Sequence, residues 1–257
     1  MRRKMLAVML VLVGVLPACA QVAPDRCTFE APRNLDLSAA GVDTLEVRAR
    51  AGGLEIRGEP GLDQVQVRGM ACASREADLE DIRLVQRREG DRLVVAVEIP
   101  DTSGLFNGQR RLDLKLRVPS RLTLDVDDSS GAASVENVAA LRIDDSSGEL
   151  RVSGIPGAVR IEDSSGAIDV RDVGSLHIPS DSSGEIRVAD VRGDATIDSD
   201  SSGAIELRGI GGNARIGRDS SGSIEVEDVG GDFTVGSDGS GGIEHRGVRG
   251  KVSIPND

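Results

Sequence analysis

The chain has 257 residues, of which 39% are hydrophobic, yet it contains no Trp, no Tyr and only three Phe. The hydrophobic content argues against disorder, and the scarcity of aromatic side chains predicts a thin core filled by aliphatic residues. The formal net charge is −12, so the surface repels nucleic acid and anionic lipid, and neither is expected as a partner. Solubility is the simplest role for this acidity.

The N-terminus predicts an export signal over residues 1–20. Basic residues precede an apolar run, 5–16, and a small-residue cleavage site that ends at Ala20. The apolar run is too short to span a bilayer, so no integral membrane span is expected. We favour cleavage after Ala20, which gives an exported protein in the periplasm or at the cell surface. The alternative is a lipobox-like site, Leu16–Cys19, which leaves Cys19 lipidated and the chain anchored in the membrane.

The remaining cysteines predict a disulfide, because an exported chain meets an oxidising compartment. Once Cys19 is removed or lipidated, Cys27 and Cys72 are left as an even pair. We expect their disulfide to tie the mature N-terminus to the first structural layer. A metal site is the weaker alternative, since no other Cys and no His lies near either residue in the sequence.

The motif DSSG recurs through the second half of the chain and defines a repeat. Successive copies are 17 to 19 residues apart, and the seventh copy reads DGSG. Near-constant spacing of this kind is typical of repeat architectures. The aspartates that open the seven copies, position 1 of each repeat, are Asp128, Asp145, Asp163, Asp181, Asp200, Asp219 and Asp238.

Apolar and polar residues alternate within each copy and predict two short strands, each with one buried face. In the copy that opens at Asp163, the first strand carries Ile168 and Val170, and the second carries Leu176 and Ile178. One repeat cannot bury its own apolar face, whereas stacked neighbours can. We therefore predict an all-β fold, a parallel β-solenoid of two-strand coils of about 18 residues each. Its narrow core should exclude large aromatics, and an antiparallel meander or sandwich is the alternative fold.

Residues 21–127 are less regular and are predicted to form a β-rich N-terminal cap with imperfect coils, ahead of a seven-repeat solenoid over residues 128–257. Within the cap, Gly52–Gly69 has the strand–turn–strand form of one imperfect coil. Asp81–Pro100 is typical of a β-hairpin with a glycine turn. A cap is expected because a bare terminal coil exposes strand edges that promote aggregation.

The export signal, the Cys27/Cys72 pair and the serial pattern D-S-S-G-x-I-x-V-x-x-V together resemble one bacterial family. This is the domain-of-unknown-function family 4097, whose members are exported or membrane-attached β-strand-repeat proteins similar to adhesin-head domains. The resemblance covers about residues 27–257 and is strongest from Asp128 onward. It implies a β-solenoid-like fold and an envelope location, and it supplies neither an established activity nor catalytic residues.

The aspartates of position 1 have two chemical interpretations. Stacked carboxylates repel one another, and calcium, which prefers clustered oxygen ligands, would compensate them. The favoured interpretation is structural: Asp accepts backbone N–H bonds, the serines fill a tight corner and Gly takes a positive φ. On this interpretation the aspartates also add negative charge to the surface. Apart from the weaker alternative at Cys27 and Cys72, the seven aspartates are the metal candidates of the sequence, and no other cofactor is expected.

Few residues of the chain suit catalysis. His177 is expected to face outward from a strand, and His245 to lie in an apolar column as an end-cap residue. Neither has a recognisable nucleophile partner, and the serines belong to turns and not to a nucleophile elbow. A polysaccharide-acting enzyme is the least favoured function, because it needs substrate subsites along a groove.

We therefore expect a non-catalytic envelope protein, a binding or adhesin-like β-repeat module. Its expected partner is an envelope protein or a surface polymer. The alternatives are a structural spacer or envelope stress component, and a calcium-binding repeat protein. The sequence favours binding through the family resemblance given above.

Overall fold

A computed structural model describes residues 27–100 and 108–255 of the chain. The predicted export signal and Cys19 lie outside the described residues. Within them, no helix is long and apolar enough to cross a membrane, and the one helix named in the cap is a 3-10 turn, Glu76–Asp81. The strands that precede the first complete repeat are β1 Phe29–Ser38, β2 Thr44–Arg48, β3 Leu54–Glu59, β4 Gln64–Ala73, β5 Arg83–Glu89, β6 Arg92–Glu98, β7 Arg110–Pro119 and β8 Thr123–Asp128.

The repeats then supply strands alternately to two walls that face each other across the core. Two of these strands, β11 and β12, are long enough to pass through a corner and belong to both walls. The strands are β9 Ala133–Glu136, β10 Ala140–Asp145, β11 Leu150–Asp163, β12 Ile168–Ser180, β13 Ile186–Val191, β14 Ala195–Asp200, β15 Ile205–Ile210, β16 Ala214–Asp219, β17 Ile224–Val229, β18 Phe233–Asp238, β19 Ile243–Arg246 and β20 Val252–Ser253.

The pairing of these strands confirms the predicted parallel solenoid. Wall A runs in the order β5, β6, β2, β8, β10, β11, β12, β14, β16, β18 and β20. Wall B runs in the order β1, β4, β7, β3, β9, β11, β12, β13, β15, β17 and β19. Every pairing from β8 onward is parallel, so the antiparallel alternative is wrong for the repeats. Equivalent positions stack directly on one another, as Ile186, Ile205 and Ile224 do.

The cap continues both walls, but its strands do not stack in chain order. Strand β2 lies between β6 and β8, and β3 lies between β7 and β9. The first coil, residues 44–59, is therefore placed between strands that come later in the chain. The prediction that Gly52–Gly69 forms one coil is wrong, because β3 and β4 both belong to wall B, with β7 between them. The predicted hairpin over Asp81–Pro100 is present as β5 and β6.

The core is a narrow layer of Ile, Val, Leu and Ala between the walls, as the composition predicts. One detail differs: Phe233 is completely buried, so the expectation that the core excludes large aromatics is wrong there. The ring fits because its column on wall A holds only Ala195 and Ala214 in the two preceding coils. Two small side chains leave the space that one large ring fills.

The disulfide between Cys27 and Cys72 is formed, as predicted. Cys72 lies on β4, at the register of Glu30 on β1, and its side chain is buried. The bond therefore fastens the start of the described chain to the outermost pair of strands of wall B. These strands close the N-terminal end of the core.

The disulfide gives a direct chemical prediction. We expect no labelling of Cys27 or Cys72 when the exported, signal-free protein is denatured without reductant and treated with a thiol reagent, and full labelling after reduction. The measurement is mass spectrometry of the labelled peptides. Modification of either residue before reduction would contradict the disulfide.

Candidate functional site

The DSSG segments form the corner at which wall A ends and the next strand of wall B begins. The glycine of each segment has a positive φ, 147° at Gly166 and 141° at Gly184. A Cβ on Gly166 would lie 1.6 Å from the carbonyl oxygen of Gly148 in the preceding coil. Glycine is therefore required both by the backbone conformation and by the close approach of neighbouring coils.

The predicted Asx turn is also confirmed. The backbone N–H of Ser147 donates to Oδ1 of Asp145 at 3.2 Å, and Ser165 donates to Asp163 at the same distance. The Ser147 hydroxyl donates in turn to the carbonyl oxygen of Ser129 in the preceding coil. The aspartate thus fixes its own corner, and the serine joins that corner to its neighbour.

The position of the carboxyl groups corrects the expectation that they carry surface charge. They point into the core and form the aspartate column, whose six fully buried members are only 0% to 5% exposed, while Asp238 at the end is half-buried. The signal was present in the sequence, because Leu141, Ile143 and Asp145 continue one inward alternation along β10. The six buried members are Asp128, Asp145, Asp163, Asp181, Asp200 and Asp219.

Each buried aspartate uses only one of its two oxygens. In all six, Oδ2 is buried and has no hydrogen-bond partner among the described residues. Burial, and then the neighbouring carboxylates of the column, raise the pKa of Asp128 to about 7 and the pKa values of Asp163, Asp181 and Asp200 to about 6. Burial also raises the pKa of Asp145 and of Asp219. These carboxyl groups therefore keep their protons to a higher pH than exposed aspartates do.

The column does not have the form of a calcium site. Each coil contributes one carboxyl, at the strand spacing of about 4.8 Å. Calcium is bound by six to eight oxygens that surround the ion, whereas these oxygens follow a line. Among the described residues, no three His, Cys, Asp or Glu side chains are grouped so that they could hold a metal ion.

The outer face of wall B carries a groove of about 460 Å³, called here the wall groove. Ala189 lines it together with core residues of the wall, Val188 and Leu207, whose side chains are buried, and arginines with acidic partners complete the lining. Arg171 pairs with Asp169 at 2.7 Å, Arg187 reaches Glu206 at 3.8 Å, and Arg208 pairs with Glu227 at 3.0 Å. The small side chain of Ala189 leaves the space between Arg171 and Arg208.

A second groove of about 460 Å³, the corner groove, follows the edge where wall B ends. Gly209, Gly211 and Gly230 form part of its lining, and Arg192 and Arg249 lie along it. Asp190 lines both grooves, so they are neighbours on the same coils. Together they give a polar surface that runs along several coils.

A left-handed residue in every repeat shapes the corner groove. Position 10 has a positive φ throughout, for example 58° at Asp190 and 69° at Gly209. Asn, Asp and Gly are the residues that tolerate this conformation. The sequence analysis missed this position, although its restriction to these three residue types is a readable signal. The residues are Asn137, Gly154, Asp172, Asp190, Gly209, Asp228 and Gly247.

The outer face of wall A carries a network of charged side chains. His177 faces outward, as predicted, with Nδ1 3.0 Å from an Arg160 nitrogen and Nε2 2.7 Å from an Asp198 oxygen. Because the guanidinium donates to Nδ1, the ring proton lies on Nε2 and is donated to Asp198. His245 is at the register of Val226 but is exposed, with its ring centroid 6.0 Å from that of Phe233 at the open end of the solenoid.

Comparisons with known proteins give no assignment for this chain. No family model matches it, and no curated protein matches it. Solved structures that align with most of it include a candidate cell adhesion protein from Clostridium sporogenes (11% identity, 88% of this chain and 99% of that one, TM-score 0.37). A candidate lipid-binding protein from Parabacteroides distasonis is 17% identical, with 88% of this chain and 97% of that one aligned and a TM-score of 0.44. A candidate adhesin from Bacteroides fragilis is 11% identical, with 89% of this chain and 98% of that one aligned and a TM-score of 0.35. At these identities and TM-scores the likeness assigns no function.

Proposed function

We propose that the protein is an exported, non-catalytic binding module of the cell envelope, adhesin-like in architecture, whose contact surface is formed by the wall groove and the corner groove. The observation that carries this proposal is the adjacency of two equal grooves on a scaffold of stacked parallel coils. The resemblance to family 4097 supports the same role. The partner class is an envelope protein or a surface polymer.

The chemistry of the surface defines how such a partner is held. Met70 and Ile254 are the only large hydrophobic side chains exposed among the described residues, and neither lines a groove. Binding must therefore rest on hydrogen bonds and ion pairs with the arginines, carboxylates and backbone of the grooves. Contacts of this kind weaken as salt is added.

The shape of the surface narrows the partner further. The grooves cross successive coils that repeat at about 4.8 Å, so equivalent side chains recur along one direction. An extended, polar partner can use several of these positions at once, whereas a compact ligand can use only one. A chain-like polymer or an extended polypeptide segment therefore fits the grooves better than a small molecule does.

The test compares two charge reversals on opposite walls. Arg208→Glu removes the pairing with Glu227 and places an acid in the wall groove, while Arg215→Glu makes the same change on wall A. The immobilised signal-free protein is incubated with envelope extract, and retained protein and carbohydrate are measured. We expect Arg208→Glu to reduce retention about tenfold or more and Arg215→Glu to leave it unchanged.

Retention by the unaltered protein that exceeds blank resin, and that falls as salt is raised, is part of the expected result. If the unaltered protein retains nothing, the binding function is wrong and a structural spacer is favoured. Equal retention by both variants would mean that the grooves are not the contact surface.

A further inference from the structure

Only one of the two carboxyl oxygens of each buried residue in the aspartate column forms hydrogen bonds that hold the fold. Oδ1 of these residues accepts backbone N–H bonds and holds the corner, as in Asp145 and Asp200. Oδ2 is equally buried but contributes nothing to the turn, and it has no hydrogen-bond partner among the described residues in any of the six buried members. An ionised oxygen left in this position costs free energy in every coil.

The charged groups that raise the pKa values of the column carboxyls are other aspartates, and no cation is among them in the part of the chain that the structure describes. The nearly buried guanidinium of Arg110 forms its ion pair with a carboxylate of the cap. The charged groups that face each carboxyl are the aspartates of the coils before and after it, such as Asp181 and Asp219 on either side of Asp200. Asp127 adds a further negative charge beside Asp128. The other contacts of the column are serine backbone groups and the apolar core.

We propose that the aspartate column binds protons: its buried members are held as neutral carboxylic acids in mildly acidic medium, and their loss of protons to solvent as the medium becomes alkaline loosens the solenoid. This makes the solenoid a pH-sensitive device that is most stable on the acid side of neutrality. The proposal does not depend on what the grooves bind.

The direction of the pH effect follows from the position of these groups. Asp163, Asp181 and Asp200, with pKa values of about 6, hold protons more tightly in the folded chain than in the unfolded one. Their stabilising contribution is complete below the ordinary aspartate pKa and is lost as the pH rises through the folded-state values. For Asp128, with a pKa of about 7, the loss extends to neutral pH.

Carboxylates that are paired with arginines limit the stability of the fold on the acid side. Hydrogen bonds from Arg117 and Arg75 lower the pKa values of Glu59 and Asp78 respectively. The stability that these ion pairs add is present above the ordinary carboxyl pKa and is lost as the pH falls below it. The protein should therefore be most stable between these two limits, on the acid side of neutrality.

The experiment uses an isosteric change at the centre of the column. Asp200→Asn keeps the oxygen that accepts the backbone N–H but cannot ionise, and Asp163→Asn repeats the change two coils away. Asp144→Asn is the matched control, because Asp144 adjoins Asp145 in the chain but lies outside, 3.0 Å from Arg142. Unfolding of the full signal-free chain is followed at about pH 5 and about pH 8, and protonated carboxyl groups are followed by their infrared carbonyl band.

We expect the melting temperature of the unaltered protein to fall between about pH 5 and about pH 8, and that of Asp200→Asn to fall less. At about pH 8 the unfolding constant of Asp200→Asn should be about 10- to 100-fold smaller than that of the unaltered protein. Asp144→Asn should match the unaltered protein. The band of the protonated acids should persist at about pH 5 and be weaker in Asp200→Asn and Asp163→Asn.

Three results would overturn the proposal. The first is absence of the protonated-acid band from the unaltered protein at about pH 5, which is decisive even if a variant does not fold. The second is an unchanged pH dependence in both column variants. The third is a rise in melting temperature on adding calcium at about pH 8 that Asp200→Asn abolishes, because the column would then hold a cation and not protons.

Discussion

Replacing Gly184 by alanine is expected to destabilise the protein by about 4 kcal/mol or more, or to prevent folding altogether. Gly184 has a φ of 141°, a backbone conformation that residues with a side chain rarely adopt. An added Cβ would lie 1.5 Å from the carbonyl oxygen of Gly166. That oxygen belongs to the backbone of the preceding coil, so it cannot move aside as a flexible side chain would. The clash has to separate the two coils.

The stacking of coils in the solenoid increases the loss of stability expected for Gly184→Ala. Each coil is stabilised by the coils next to it, so a gap in the middle of the stack removes neighbours on both sides at once. The free energy of unfolding, measured by denaturant titration, tests the prediction. Gly242→Ala is the matched control, because a Cβ there meets nothing within 4 Å. A cost for Gly184→Ala as small as that of the control would contradict the corner geometry.

Replacing Phe233 by alanine is expected to lower the free energy of unfolding by about 3 to 5 kcal/mol. Phe233 is completely buried and fills the space above Ala214 in the preceding coil. Its removal leaves a cavity that the small side chains beneath it cannot fill. Val252, in the last coil, would lose the surface on which it packs.

Phe29→Ala supplies the control for this prediction, because Phe29 is only half-buried on the outermost strand β1. The same truncation there should cost less than half as much. Thermal and denaturant unfolding of both variants give the comparison. Equal costs, or a negligible cost at Phe233, would mean that the ring does not close the end of the core.

The two substitutions probe different requirements of one architecture. At Gly184 the backbones of neighbouring coils approach too closely for any side chain. At Phe233 the side-chain layer between the walls must be filled to normal packing density. A stack of coils needs both, because its walls are joined only through that layer and through the corners.

The repeat itself could be predicted from the sequence, because its determinants are local. Alternation at period two places Ile168 and Val170 on the inner face whatever the rest of the chain does. The recurring DSSG specifies a corner through its own side-chain hydrogen bonds and its glycine. The disulfide was predicted from two cysteines and an expected export signal.

The cap could not be predicted in the same way. Chain order places β2 and β3 first, but their neighbours in the walls are β6, β7, β8 and β9. Which strand lies beside which is decided by long-range packing, and no local pattern in residues 44–59 encodes it. The grooves likewise depend on side chains from several coils, such as Arg171 and Arg208 beside Ala189.

The aspartate column marks the boundary between the two kinds of information. The sequence by itself determined that an acid opens every coil and that its oxygen caps the turn. The alternation along the strand already turned the carboxyl inward, and only the tertiary structure decided that it is sealed from water, because the wall of the next coil must close over it. That closure converts a motif of seven exposed turns, as the sequence suggested, into a buried line of acids whose charge depends on pH.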